Sequence, residues 1–129
     1  MILIGRYLKI MLKKKMSTAT RKAKGRRLQQ QFRTLLIEKL DIDPEDVESR
    51  SMGSAGEDLI MSKAARNKFP FSIEAKNQES LNVWAAWDQA KKNSGIYEPI
   101  LVIKKNGVPP KVVVDADTFL DLVKEFNKK

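Results

Sequence analysis

The chain has 129 residues, enough for one domain with a modest core, and it contains no cysteine and no histidine. That composition excludes disulfide frameworks, the usual zinc sites and the Ser-His-Asp and Cys-His nucleophile systems. Any catalysis has to run on Asp, Glu, Lys, Arg, Ser, Tyr or a hard cation held by oxygen ligands. The net charge of +9 is unevenly spread: residues 1–33 carry 11 basic side chains and no acid, and the remainder holds 14 basic against 16 acidic ones. An arm of a single sign suits a phosphate backbone, because each neutralised phosphate releases counterions. Anionic lipid and simple solubilisation are the competing readings.

The opening run MILIGRYLKIMLKKK is broken by Arg6 and Lys9 and is too short to span a bilayer. It has no small-residue cleavage site, so neither a membrane span nor a secretion signal is expected. Met16 offers a second start. Residues 1–19 therefore read as a basic extension, expected to be flexible, ahead of one domain over 20–129.

Thr20 to Leu40 predicts a long helix, with Leu28, Phe32, Leu35, Leu36 and Leu40 on its buried stripe. Ser17 to Thr20 offer caps, and Asp41-Ile42-Asp43-Pro44 closes it, since Pro44 disfavours helical geometry at Asp43. A short strand is expected over Asp46–Arg50, then the Ser/Gly loop SMGSAGED, then a strand over Leu59–Ser62. KAARNKFP reads as a basic connection. Phe71 to Lys76 reads as a strand in which Phe71, Ile73 and Ala75 alternate with Ser72, Glu74 and Lys76. A helix follows from Leu81 to Ala90, capped by Ser80 and ending near Ser94-Gly95. Pro99–Lys104 predicts a central apolar strand, Asn106-Gly107 a turn, and Lys111–Val114 another strand. Ala116–Phe126 predicts a closing helix with Phe119, Leu120, Val123 and Phe126 turned inward. The order predicts an α/β fold, a mixed central sheet flanked by helices.

Glu74 and Lys76 stand two apart on one strand face. A chain with 16 acids and 18 lysines produces about two such pairs by chance, so the spacing alone carries no weight. An exposed ion pair is the plain reading. Asp58 changes the balance. It follows a Ser/Gly loop and opens a strand expected to lie beside Phe71–Lys76, so Asp58 and Glu74 can share a divalent cation with the Ala75 carbonyl. Such an ion supports phosphodiester hydrolysis, with Lys76 placed to offset phosphorane charge.

Asp58 followed by Glu74-Ala75-Lys76 resembles the PD-(D/E)XK nuclease signature, and the chain is similar to archaeal-type Holliday junction resolvases and their bacteriophage relatives. Lys24-Gly25 resembles the Lys-Gly entry of their first helix. Arg50-Ser51-Met52-Gly53-Ser54 resembles their loop before the metal aspartate. Glu74-Ala75-Lys76-Asn77-Gln78-Glu79 and Trp87-Asp88-Gln89-Ala90 resemble the phage branch in particular, and the similarity runs over about residues 22–125. It implies a restriction-endonuclease-like core and a Mg²⁺-dependent endonuclease, Mn²⁺ substituting, that resolves branched DNA during recombination. It also implies a homodimer, action in the cytoplasm (that of a bacterial host if phage-encoded) and no membrane partner. Carried over, Asp58, Glu74 and Ala75 hold metal, and Lys76 and Gln89 are catalytic. Lys24, Arg26, Arg27, Gln29, Arg50, Ser51 and Ser54 contact DNA. One departure is Gln29-Gln30, where the family often has Glu-Arg. An exonuclease or restriction-like enzyme of the same fold stays open, as does a non-catalytic DNA-binding accessory protein, which Gln29 favours. Trp84 and Trp87 read as core or dimer packing rather than base-stacking groups.

Overall fold

Leu28, Phe32 and Leu36 decide how the molecule is layered. In the computed structural model, which describes residues 17–50 and 56–129, they form the buried stripe of helix α1 (Thr18–Leu40). The Ser17 side chain accepts from the Thr20 N–H at 3.1 Å and starts this helix. Asp41, at φ 53°, ends it in the left-handed region, a conformation that Asp tolerates better than most residues. A 3₁₀ turn (Pro44–Asp46) leads into β1 (Val47–Ser49), which pairs antiparallel with β2 (Leu59–Met61). Arg33 fastens α1 to this hairpin, donating to the carbonyls of Val47 at 2.8 Å and Pro44 at 2.6 Å. This end of the basic arm is thus spent inside the fold.

β3 (Phe71–Asn77) and β4 (Glu98–Lys104) run parallel, and β5 (Lys111–Val113) pairs antiparallel with β4. The crossover from β3 to β4 is helix α3 (Val83–Lys92). The result is an α/β architecture with a mixed three-stranded sheet in the order β3-β4-β5 and a separate two-stranded hairpin. A single sheet was expected. β2 instead pairs with β1, and Asp58, just ahead of β2, bonds to β3, its N–H donating to the Ile73 carbonyl at 2.8 Å.

Two apolar clusters fill the two faces of the larger sheet. Phe71, Ile73, Ile100 and Val102 pack with Leu28, Phe32 and Leu36 of α1. Leu101 on the other face packs with Ala86, Trp87 and Ala90 of α3. Strands covered on both faces read as continuous apolar runs, which is why ILVI of β4 lacks alternation. Each fully buried side chain of this size contributes about 1.5–3 kcal/mol.

Three local expectations are corrected, and the core reading of Trp87 is met. KAARNK is helix α2 (Lys63–Lys68), not a connection; the Ser62 hydroxyl caps it by accepting from the Ala65 N–H at 3.2 Å. Asn82, not Ser80, caps α3, accepting from the Ala85 N–H at 3.1 Å. Trp87 is buried, whereas Trp84 is 81% exposed. The closing helix α4 (Ala116–Phe126) has no buried residue, because α1 and α3 already cover the sheet and the three-residue strand before it offers little to pack on. Among the described residues no helix is long and apolar enough to cross a membrane. Ser62→Ala removes the cap of α2 and is expected to cost about 1 kcal/mol, read as a lower urea midpoint at unchanged m-value.

Candidate active site

The β3 edge that faces away from β4 carries the site. β3 is the terminal strand of its sheet, so this edge has backbone groups free to bond elsewhere. The Ile73 carbonyl accepts from the Asp58 N–H, and the Ala75 N–H donates to Asp58 Oδ2 at 2.6 Å. One residue thereby docks the hairpin on the strand and has its carboxylate oriented by a backbone amide. In an extended strand the carbonyl of a residue points to the same edge as its N–H, which places the Ala75 carbonyl beside the Asp58 carboxylate.

Arg50 braces the residues immediately before Asp58. Its N–H donates to the Asp58 carbonyl at 2.8 Å and its Nε to the Glu57 carbonyl at 2.7 Å. Gly56, at φ +99°, lies under the guanidinium, where an added Cβ would stand 3.3 Å from Arg50 Cζ. The backbone angle is what calls for glycine here; the guanidinium, at the end of a flexible side chain, would have to shift by only a few tenths of an ångström. Glu57 turns from Asp58 to pair with buried Arg66 of α2. Arg66 also donates to the Phe71 carbonyl at 2.8 Å and lies 4.2 Å above the Tyr97 ring.

Glu74 is 4% exposed on the α3 face of β3. Lys76, two residues on, puts Nζ 3.7 Å from Glu74 Oε1, and Asn93 at the end of α3 donates from Nδ2 to Glu74 Oε2 at 3.3 Å. Burial and then the negative charge of Asp58 push the Glu74 carboxyl above its usual range; Asn93 and Lys76 oppose the shift. Burial likewise raises Asp58, against the Ala75 N–H and the cationic Lys76 and Arg50. The Asp58 charge acts on buried Glu74, and a cation between the two carboxylates would offset it.

This donor set fits a hard divalent ion. Two carboxylates and a backbone carbonyl are oxygen ligands only, and Mg²⁺ usually keeps several waters besides one or two carboxylates. Among the described residues no third acidic side chain joins the pair.

The remaining candidates are dispersed. Gln89 is exposed on α3, one turn before Asn93, and it is the Asn93 amide that reaches Glu74. No local signal in the sequence points to Asn93, whose reach to Glu74 depends on where α3 crosses β3. Lys24 and Gln29 are buried, Lys24 with its Nζ 4.0 Å from Glu79 Oε1, while Arg26 and Arg27 are exposed. Ser51 and Ser54 lie outside the described residues. No protein-family model matches this chain, and comparison with curated proteins and with solved structures finds no match.

Proposed function

We propose that this protein is a divalent-cation-dependent DNA endonuclease of the PD-(D/E)XK type with a restriction-endonuclease-like core, acting on branched DNA such as four-way junctions. One observation carries the reading: two carboxylates from separate chain segments, half-buried Asp58 and buried Glu74, converge at β3 with Lys76 beside them. A buried acid whose charged form is disfavoured by burial and by a neighbouring carboxylate is costly to keep, and such groups concentrate at functional sites.

Asp58, Glu74 and the Ala75 carbonyl would hold the ion. When bound there, Mg²⁺ or Mn²⁺ polarises the phosphodiester and offsets charge on the leaving oxygen. Lys76 donates a hydrogen bond to the attacking water and offsets charge on the phosphorane. Asn93 favours the charged form of Glu74, against the effect of burial, and orients its carboxylate. Arg26 and Arg27, on the exposed side of α1, attract the phosphate backbone without reading bases, giving salt-sensitive binding. The non-catalytic DNA-binding reading draws on Gln29, a buried neutral amide where a carboxylate would strengthen the site.

Cleavage of a synthetic four-way junction, a linear duplex and single strands, with Mg²⁺ or EDTA, separates these readings. Paired nicks near the branch point that require metal support the proposal. Cutting of linear DNA moves it to a general nuclease, and tight binding without cutting in Mg²⁺ or Mn²⁺ sinks the enzyme. Asn93→Ala is expected to lower the rate near neutrality by about 10-fold. The amide favours charged Glu74, so its loss raises the carboxyl further and moves the acid limb of the pH–rate profile to higher pH.

A further inference from the structure

The sheet face that carries Glu74 and Lys76 runs on into a second cleft. Ile103 is the β4 partner of Lys76. Gln78, two residues after Lys76, keeps the strands joined, its N–H donating to the Lys104 carbonyl at 3.0 Å. Beyond them Leu81, Val83, Ile103, Val108 and Pro109 line an apolar hollow of about 270 Å³. Neighbouring strands lie about 4.8 Å apart and a strand rises about 3.3 Å per residue, so the hollow begins roughly 5–7 Å from the Lys76 backbone. It lies at the carboxyl ends of the two parallel strands, where open α/β sheets bind their ligands. Helix α3 starts only at Val83 and leaves this end of the sheet uncovered.

The rim of the hollow is basic. Lys104, Lys105 and Lys111 border it against one acid, Glu79. That acid is already engaged: Glu79 Oε1 accepts from the Asn106 N–H at 3.2 Å and lies 4.0 Å from Lys24 Nζ. Lys105 and Lys111 are exposed and form no ion pair among the described residues. Trp84 adds a flat apolar surface, 81% exposed in the first turn of α3. Successive helical residues turn by about 100°, which puts Trp84 and Asn93 on opposite flanks of α3. Asn93 reaches β3, so Trp84 stands on the flank towards β5 and Lys111. Ligand pockets hold roughly 300–1,000 Å³; this one is at the small end and suits a single planar group. An acidic peptide would match the lysines but leave the apolar lining and Trp84 unused. A nucleotide offers both a planar base and a phosphate, and bases stack on exposed aromatic side chains.

We infer that this hollow is a subsite for one unpaired nucleotide of the substrate, its base against the apolar lining and its phosphate on Lys105 and Lys111. The inference rests on the nuclease reading. At about 3.4 Å per nucleotide, the base it takes lies one to two nucleotides from the phosphate facing Glu74 and Lys76. Removing a base from its stack costs least where it is already unpaired, as at a branch point. The test uses the full chain in EDTA, so that nothing is cut. A duplex carrying one bulged 2-aminopurine is compared with the same duplex fully paired. Wild type is expected to bind the bulged duplex about 10-fold tighter and to change its fluorescence. Val108→Phe fills the hollow, and Lys105→Ala with Lys111→Ala alters only exposed groups, so the fold is kept. Both should bring the two affinities together. Lys39→Ala with Lys63→Ala removes the same charge from exposed positions on α1 and α2 and should keep the preference. Equal binding of the two duplexes by wild type overturns the inference, as does a preference that survives both hollow variants. An oligoglutamate peptide whose binding depends on the hollow, when DNA binding does not, assigns it to an acidic peptide and overturns it too. Equal binding together with metal-dependent junction cleavage removes this inference alone. Binding to neither duplex removes the nuclease reading with it.

Discussion

Glu74→Gln is expected to abolish metal-dependent cleavage, by about 10³-fold or more, while making the metal-free protein more stable. The two effects have one origin. Glu74 is buried beside Asp58, and its carboxyl titrates above the usual range through burial and the charge of Asp58. A carboxyl whose folded pKa is raised binds more protons in the native state than in the unfolded chain. Between the unfolded value near 4.5 and the raised folded value, stability therefore falls as pH rises. Above that window the full cost is present. Glutamine keeps the shape and the acceptor for Asn93 but carries no charge, so it removes this cost. Melting curves of the metal-free protein at pH 4 to 8 check the sign: wild type should gain stability on acidification through the window, and the variant should gain less. Mg²⁺ or Mn²⁺ should raise the wild-type melting temperature at neutral pH and release protons, with little response in Glu74→Gln. A variant that melts lower than wild type at neutral pH, with cleavage retained, would remove Glu74 from the site.

Arg66→Ala is expected to be the most damaging single change away from the carboxylates, at about 3–5 kcal/mol. That corresponds to a drop of on the order of 10–20 °C in melting temperature. Arg66 ties three segments together: Glu57 in the loop before Asp58, the Phe71 carbonyl at the start of β3, and the Tyr97 ring ahead of β4. Removing it strands the Glu57 carboxylate, 13% exposed, without its partner. Arg66→Ala combined with Glu57→Gln should recover part of the loss, because the uncompensated charge is then gone. Denaturant unfolding of the two singles and the double measures the coupling. Asp58 is the next residue after Glu57, so loosening this anchor should also weaken metal binding, seen as a smaller shift in melting temperature with Mg²⁺. An Arg66→Ala protein as stable as wild type would show that the pair carries no net stabilisation.

The chemistry-bearing residues were legible one at a time and ambiguous together. Glu74 and Lys76 share a strand face by simple alternation, and Asp58 stands behind a Ser/Gly loop at the start of a strand. What periodicity could not supply is how Asp58 meets Glu74. It does so through two edge hydrogen bonds to Ile73 and Ala75, with β2 in a different sheet. Asn93 was hidden because its role depends on where α3 crosses β3, a long-range relation. The Glu57–Arg66 pair was hidden because KAARNK is too short for a helical period to stand out.

By itself the sequence determined the stripe of α1, the buried run of β4, the alternation of β3 and the absence of His and Cys chemistry. Each follows from local composition and spacing, which state which residues share a face. Whether that face meets another layer is decided by the number of layers available. The apolar stripe of α4 has the helical period of a core helix, yet it lies exposed. The sheet has two faces, α1 and α3 occupy them, and only the tertiary structure shows that none remains for α4.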